Sequence, residues 1–367
     1  MILKTDKFRE NCTIIKAAID NKNVSLYSET LELNAIGNTL NMNVTNREYY
    51  VTVSFNLEAA ANFKAAVNAK LFLDLISKIT SDTIDIDVVN DTLKVKGNGE
   101  YKLPIIYNNN VMLELPKIEV NNVSTTMNIK SKDLQSILQF NSKELQRGTP
   151  AKLVQTYYYV DEKGCITFTS GACVNSFTLS QPIKMLLSEK VVKLFKLFKD
   201  VDEVSFKKGY ENISGVSQDR VVFSAGNVIL SAILADSNMI TQVPVVAIRN
   251  MASQQYANTI TLNREQLLQA LTRLMLFNND KNYGNIEFSK TAIKIQDWSK
   301  ENVEVINLDK ECDTLAQNYS VIINMNNLSL ILNGCSDEMI DISFGDNKSI
   351  CIKKDSVTDI IPELKLV

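Results

Sequence analysis

Alternation of apolar and polar residues, interrupted at intervals by stretches of helical period, runs the whole length of the chain. Short alternating runs bounded by Asn, Asp and Gly recur as TIDIDVV, DTLKVKG, CITFTSG, RVVFSAG, VILSAIL, NIEFSKT, AIKIQDW, MIDISFG and SICIKKD. That period-two pattern predicts half-buried β-strands. Only Asn90 and Asp91 separate TIDIDVV from TLKVKG, which predicts a tight hairpin there. Tyr157, Tyr158 and Tyr159 read as one strand with alternating faces.

The period changes in MILKTDKFRENCTIIKAAI, MNIKSKDLQSILQF and NTITLNREQLLQALTRL. In each, a short strand meets a capping residue (Thr5, Ser131 or Asn263) and an amphipathic helix follows. Gln266, three residues after Asn263, suits a capping box. The caps are 126 and 132 residues apart, so the chain divides into three near-equal thirds. A second helix is predicted in each third, in NAKLFLDLISKI, SEKVVKLFKLFKD and NMNNLSLILNGC. These begin 63, 57 and 61 residues after the first caps, so each third holds two half-units of one helix with hairpins. Short links fall in LELPKIEVNNVS and AIRNMASQQY, giving expected domains 1–121, 122–249 and 250–367. The fold class is α+β: three similar domains, each a duplicated unit with helices on one face of antiparallel strands.

One helix end breaks the pattern. Leu267, Leu268, Leu271, Leu274 and Met275 share one stripe, which suffices to anchor the helix. Leu276 and Phe277 continue the apolar run but leave that stripe.

Composition narrows the chemistry. The chain has 367 residues, 45% hydrophobic and 22% charged, as expected of a folded soluble protein. No apolar run reaches the ~18 residues of a membrane span, and the N-terminal stretch has no secretory h-region, so a cytoplasmic location is expected. Six cysteines at 12, 165, 173, 312, 335 and 351 form no CxxC pair, and there is no histidine. A zinc site, a histidine-based triad and a cofactor are therefore not expected. Asp85 and Asp87 share a strand face by alternation alone, and no enzyme activity is expected. The net charge of −3 argues against a uniformly basic nucleic-acid binder but allows a locally basic surface. Lys190, Lys193 and Lys196 step along one helix side, with Val191, Leu194, Phe195 and Phe198 along the other.

In order and spacing, the whole chain resembles the β sliding clamp of bacterial DNA polymerase III. NAKLFLDLISKI with TIDIDVVNDTLKVKGNGEYKLPI resembles the second half of the family's first domain. LNREQLLQALTRLMLFNNDKNYGNIEFS resembles the opening of its third domain, and IIPELKLV its short Pro-Met-Arg-Leu tail. Three departures stand out. Thr169-Ser170-Gly171-Ala172-Cys173 replaces the usual Thr-Asp-Gly-His-Arg. Met239-Ile240-Thr241-Gln242 matches Phe-Pro-Asp-Tyr only loosely, with Pro244 displaced. Glu363 and Leu364 stand where the tail has Met-Arg. Such divergence suits a phage-encoded or distant bacterial clamp.

The resemblance implies a head-to-tail homodimeric ring with helices lining the hole. Double-stranded DNA would pass through without sequence reading, and the ring would tether the replicative polymerase. The clamp loader and other proteins with clamp-binding motifs would be further partners, and no membrane. Lys70, Lys78, Lys132, Lys190, Lys193, Lys196, Arg264 and Arg273 would face DNA. Leu153, Thr169, Gly171, Val174, Val243, Pro362, Leu364 and Leu366 would form the partner-peptide pocket. Leu276 and Phe277 would meet Tyr101, Ile105 and Ile106 of the other subunit. A non-catalytic repeat scaffold, such as a virion or assembly protein without a DNA role, is the alternative.

Overall fold

The computed structural model describes residues 1–20, 25–144, 152–213, 215–277, 282–335, 337–345 and 349–364. The chain begins with β1 (Ile2–Lys4), α1 (Thr5–Lys16), β2 (Thr30–Thr45), β3 (Tyr49–Asn68) and α2 (Ala69–Lys78). Then come β4 (Thr83–Val89), β5 (Thr92–Lys96), β6 (Glu100–Pro104), β7 (Tyr107–Asn108), β8 (Val111–Met112) and β9 (Asn122–Lys130). Next are α3 (Ser131–Phe140), β10 (Tyr157–Asp161), β11 (Gly164–Phe168), β12 (Ala172–Ser176) and β13 (Lys184–Ser188). They lead to α4 (Glu189–Lys193), β14 (Glu203–Ile213), β15 (Val216–Ala225), β16 (Val228–Ile233) and α5 (Val245–Ser253). The last stretch holds β17 (Asn258–Asn263), α6 (Arg264–Met275), β18 (Tyr283–Phe288), β19 (Ala292–Asp297) and β20 (Val303–Asn307). It ends with β21 (Tyr319–Asn324), α7 (Met325–Asn333), β22 (Met339–Phe344), β23 (Ser349–Lys354) and β24 (Val357–Pro362).

These elements form two compact units. The first comprises Met1–Gln135 and Lys190–Asp236, the second Ser136–Glu189 and Ser237–Val367. Both expected links lie inside a unit, and the division cuts through the expected middle domain. Sheet topology gives the reason. In the first unit one sheet runs β2-β3-β16-β15-β14-β9. Val228–Ala232 of β16 pair with Tyr49–Val53 of β3, so strands 175 residues apart share a ladder. In the second unit the sheet runs β13-β10-β11-β12-β24-β23-β22-β17, and Ala172–Asn175 of β12 pair with Val357–Ile360 of β24. Four-stranded sheets β1-β4-β5-β6 and β20-β19-β18-β21 complete the two units respectively.

Local chemistry explains most elements. Asn90 and Asp91 both take positive φ (46° and 57°) between β4 and β5, the backbone of a tight primed turn. Asn68, Asn263 and Asn324 cap α2, α6 and α7 by accepting from backbone N–H groups one turn on. Thr5 and Ser131 behave differently. Each is the first residue of its helix, and its hydroxyl donates outward, to the Ser81 and Phe198 carbonyls respectively, both at 2.5 Å. They fasten a helix start to the end of a distant element instead of capping it.

The helices pair as the repeat predicts. Phe8 of α1 meets Phe72 of α2 edge to face at 6.3 Å. Gln135 of α3 donates to the Phe195 carbonyl beyond α4 at 2.7 Å. Helices α6 and α7 pack over a core that includes Leu271, Leu274, Leu328 and Ile331. The expected helix over 188–199 is α-helical only as far as Lys193 and tightens to a 3-10 helix over Leu194–Phe198. Three residues per turn then keep a lysine at every third position on one line.

Two features depart from the pattern. Tyr158 and Tyr159 are both buried, because β10 lies inside its sheet and is covered on both faces. Helix α5 occupies a stretch that reads as a link, where the Arg249 guanidinium donates to buried Asp161 at 2.5 Å.

Candidate partner pocket, sheet edges and basic helices

All the described pocket residues lie in the second unit. Leu153 opens a short 3-10 turn (Leu153–Thr156) and is more than half exposed, while Val154 beneath it is buried. Gln155 of that turn donates to the Thr169 carbonyl at 3.4 Å, and Thr169 N–H donates to Gly171 O at 2.9 Å, closing a tight turn before β12. The Leu153 turn also packs against the 3-10 turn Ser237–Gln242, which leads to Val243. Ladder register puts Val174 opposite Thr358 and Ala172 opposite Ile360. Residues two apart share a face, so Val174, Ile360 and Pro362 point the same way. Beyond Pro362 the tail leaves the sheet, and Leu364 N–H donates to the Ile322 carbonyl on β21 at 2.8 Å. Leu366 lies outside the described residues.

The expected interface residues lie on or beside two outermost strands. In the first unit β6 is an edge strand, and Tyr101 on it is 37% exposed. Ile105 just beyond is only 8% exposed and belongs to the core, while Ile106 is half-buried. In the second unit β20 is an edge strand at the end of α6. Leu276 is 78% and Phe277 61% exposed there, so neither contributes to the core of its own chain. Val303 and Val305 on β20 are also exposed, which extends the apolar surface along the edge.

The cations differ in exposure and in their partners. Lys70 and Lys78 on α2, Lys132 on α3, and Lys193 and Lys196 near α4 are exposed. Lys190 is half-buried and pairs with Glu48 at 2.6 Å and Asp20 at 3.6 Å. Asp74, between Lys70 and Lys78, pairs with Lys16 at 2.6 Å, and that bond is the chief reason its carboxyl is held below the usual range. Arg264 folds back onto the Leu332 and Asp337 carbonyls at 3.3 and 3.2 Å. Arg273 grips both oxygens of Glu304 at 2.6 and 2.8 Å, in fork-to-fork geometry.

The fold has known counterparts. Residues 1–137 match the family model of the DNA polymerase III beta subunit, N-terminal domain. The DNA polymerase III subunit beta of Pseudomonas aeruginosa covers the whole of both chains with a TM-score of 0.82 at 16% identity. The whole chain also matches 99% of the Bacillus subtilis sliding clamp (TM-score 0.77, 16% identity) and 99% of the Thermotoga maritima beta subunit (TM-score 0.78, 13% identity). No curated protein sequence matches the chain. The chain has the sliding-clamp fold.

Within the clamp fold, sequence reasoning missed several neighbours of its own candidates. Val246 on α5 is 73% exposed, and α5 packs along both β12 and β24. The Pro244 start and the following VVAIRNMAS could have signalled this helix. Val303 and Val305 carry the ordinary alternation of an edge strand, with outward valines as the only clue. Among the described residues no group of His, Cys, Asp and Glu could hold a metal, and no helix is long and apolar enough to cross a membrane.

Asp359 sits behind the candidate pocket strands. Its ladder neighbour is Cys173, on the face opposite Val174. The carboxyl is almost wholly buried, and Oδ1 has no hydrogen-bond partner among the described residues. Burial raises its pKa above the ordinary carboxylate value, with Lys143 and Cys173 opposing. In the window above that ordinary value the folded chain retains a proton that the unfolded chain has lost. Stability therefore falls as pH rises through the window. Asp359→Asn removes the cost of the buried charge. It is expected to raise Tm by a few degrees at neutral pH and to change it little near pH 4, as read by thermal unfolding across pH. A difference from the parent that is the same at every pH would exclude this titration.

Proposed function

We propose that this chain is a DNA sliding clamp. Two copies join head to tail into a ring, duplex DNA passes through it, and the ring tethers the replicative polymerase. The observation that carries this reading is a pair of unfinished surfaces on a chain that follows the clamp fold throughout. Edge strand β6 with Tyr101 and edge strand β20 with Leu276 and Phe277 each present backbone groups beside exposed apolar side chains. An edge of one copy completes the other edge of its partner, and a twofold arrangement closes. Three repeated domains, 1–121, 122–249 and 250–367, supply the arc. Lys70, Lys78, Lys132, Lys193 and Lys196 touch phosphates without reading sequence. Such contacts are interchangeable, which sliding requires. Polymerase, clamp loader and other motif-bearing proteins dock extended peptides beside Leu153, Val174, Val243, Pro362 and Leu364, with Thr169 and Gly171 shaping one wall. The clamp catalyses nothing and acts in the cytoplasm.

Retention on DNA tests the reading. Clamp loaded on a nicked circle should stay bound and should run off once the circle is linearised. Equal retention on both forms would indicate ordinary surface binding and return the scaffold alternative.

The interface is tested by replacing its anchors. Leu276 and Phe277 are exposed in the single chain, so truncating them leaves no cavity in it. Burying each against a partner is worth roughly 1.5–3 kcal/mol. Since each ~1.4 kcal/mol is tenfold in affinity, Leu276→Ala with Phe277→Ala is expected to give folded monomers at micromolar concentration. Circular dichroism should stay native while sedimentation shows one chain. A stable dimer at nanomolar concentration would place the interface elsewhere.

The tail is tested by deleting residues 363–367, which removes the Leu364 bond to Ile322. Binding of a clamp-binding peptide from the cognate polymerase, followed by fluorescence anisotropy, should fall at least tenfold while the dimer persists. Undiminished affinity would move the pocket away from the tail.

A further inference from the structure

The two units treat their helix-borne cations in opposite ways. In the first unit Arg9 is tied to Asp6 and to the Ile79 carbonyl, Lys16 to Asp74, and Lys190 to Glu48 and Asp20. Lysines 7, 70, 78, 132, 193 and 196 are nevertheless exposed on its helices. In the second unit α7 carries no charged residue. Its partner α6 carries two arginines, and both are engaged internally. Arg264 reaches the Leu332 carbonyl in the last turn of α7, which also accepts from the Cys335 N–H. Arg273 meets Glu304 on β20 through two parallel hydrogen bonds. That bond is the main reason the Glu304 carboxyl lies below the usual range, so the pair stays ionised at neutral pH. Glu265, Gln266, Gln269 and Thr272 are the other exposed polar residues along α6, and Glu265 offsets the charge of Arg264, with which it pairs at 3.4 Å.

Resting on the clamp reading, we propose that phosphate contacts come only from the helices of the first unit, and that Glu304 withholds Arg273 from DNA. The second unit presents a near-neutral helical surface. In a ring built this way each subunit holds the duplex through its first unit, and its second unit adds no phosphate contact. A carboxylate that already fills the guanidinium fork offers Arg273 what a phosphate would offer, at no cost in counterion rearrangement. Removing that carboxylate frees the fork for DNA.

The test measures binding of the dimer to a mixed-sequence 30-base-pair duplex over a series of salt concentrations. Each phosphate neutralised by a lysine or arginine adds about 0.9 to the slope of log affinity against log salt. Lys70→Gln with Lys196→Gln should flatten the slope by about that amount for each phosphate left unneutralised. Arg273→Gln should leave it unchanged. Glu304→Gln should steepen the slope and tighten binding at low salt, and adding Arg273→Gln to it should cancel the gain. Glu304→Ala, which leaves no amide to occupy the fork, should steepen the slope likewise, and sedimentation verifies the dimer in each case. The inference is overturned if Arg273→Gln flattens the slope as the lysine variant does, if neither Glu304 variant steepens it, or if the parent shows no salt-dependent binding. Retention on nicked circles is read in parallel on the parent protein. Loss of retention would refute the clamp itself, whereas retention with the wrong slope pattern refutes only the division of phosphate binding between the units.

Discussion

Antiparallel pairing between strands far apart in the chain is the constraint on which the rest depends. Val228–Ala232 complete a ladder begun by Tyr49–Val53, and Val357–Ile360 complete one begun by Ala172–Asn175. Each ladder satisfies backbone groups that would otherwise remain open at a repeat boundary. In the second ladder, α5 packs against both paired strands. Phe223 on β15 touches both Phe206 and Phe195, so one core serves strands and helix alike. The middle third is therefore not a separable body, because half of its strands belong to each neighbouring sheet. Continuity of this kind lets local side-chain positions serve a purpose that spans a whole unit.

Much of the fold is legible in the sequence because its signals are local. The Asn90-Asp91 hairpin and the Asn68, Asn263 and Asn324 caps depend on a few adjacent residues, and the structure shows each one. Thr5 and Ser131 look like caps in the sequence, yet their hydroxyls bond across 76 and 67 residues. Composition cannot distinguish those two uses of a hydroxyl. Alternation predicts opposite exposure for Tyr158 and Tyr159, but that rule holds only for a strand with one wet face. Helix α5 escapes the pattern because a nine-residue helix with no side-chain cap resembles a link.

The candidate sites show the same division. Leu153, Thr169, Val174 and Pro362 can be named from resemblance, whereas Gln155, which joins the turns bearing two of them, cannot. Charges are the least legible. A sequence counts lysines and arginines without saying what each one faces. Lys190 and Glu48 are 142 residues apart and pair at 2.6 Å, and Arg273 and Glu304 are 31 apart. A chain with net charge −3 can thus be acidic in sum while exposing a row of lysines on selected helices.

All six cysteines are buried. Burial pushes the thiols of Cys12, Cys165, Cys173 and Cys335 upward and that of Cys351 to about 11. Alkylation and disulfide exchange require the thiolate, and these groups offer almost none at neutral pH. Those five thiols are thus silent toward maleimides while the fold holds, and Cys312 is shielded by burial. A single cysteine introduced on the surface, as in Val246→Cys, would carry a fluorophore alone. Opening of the proposed ring and docking of the proposed peptides could then be followed optically in a protein that otherwise retains its full set of native side chains.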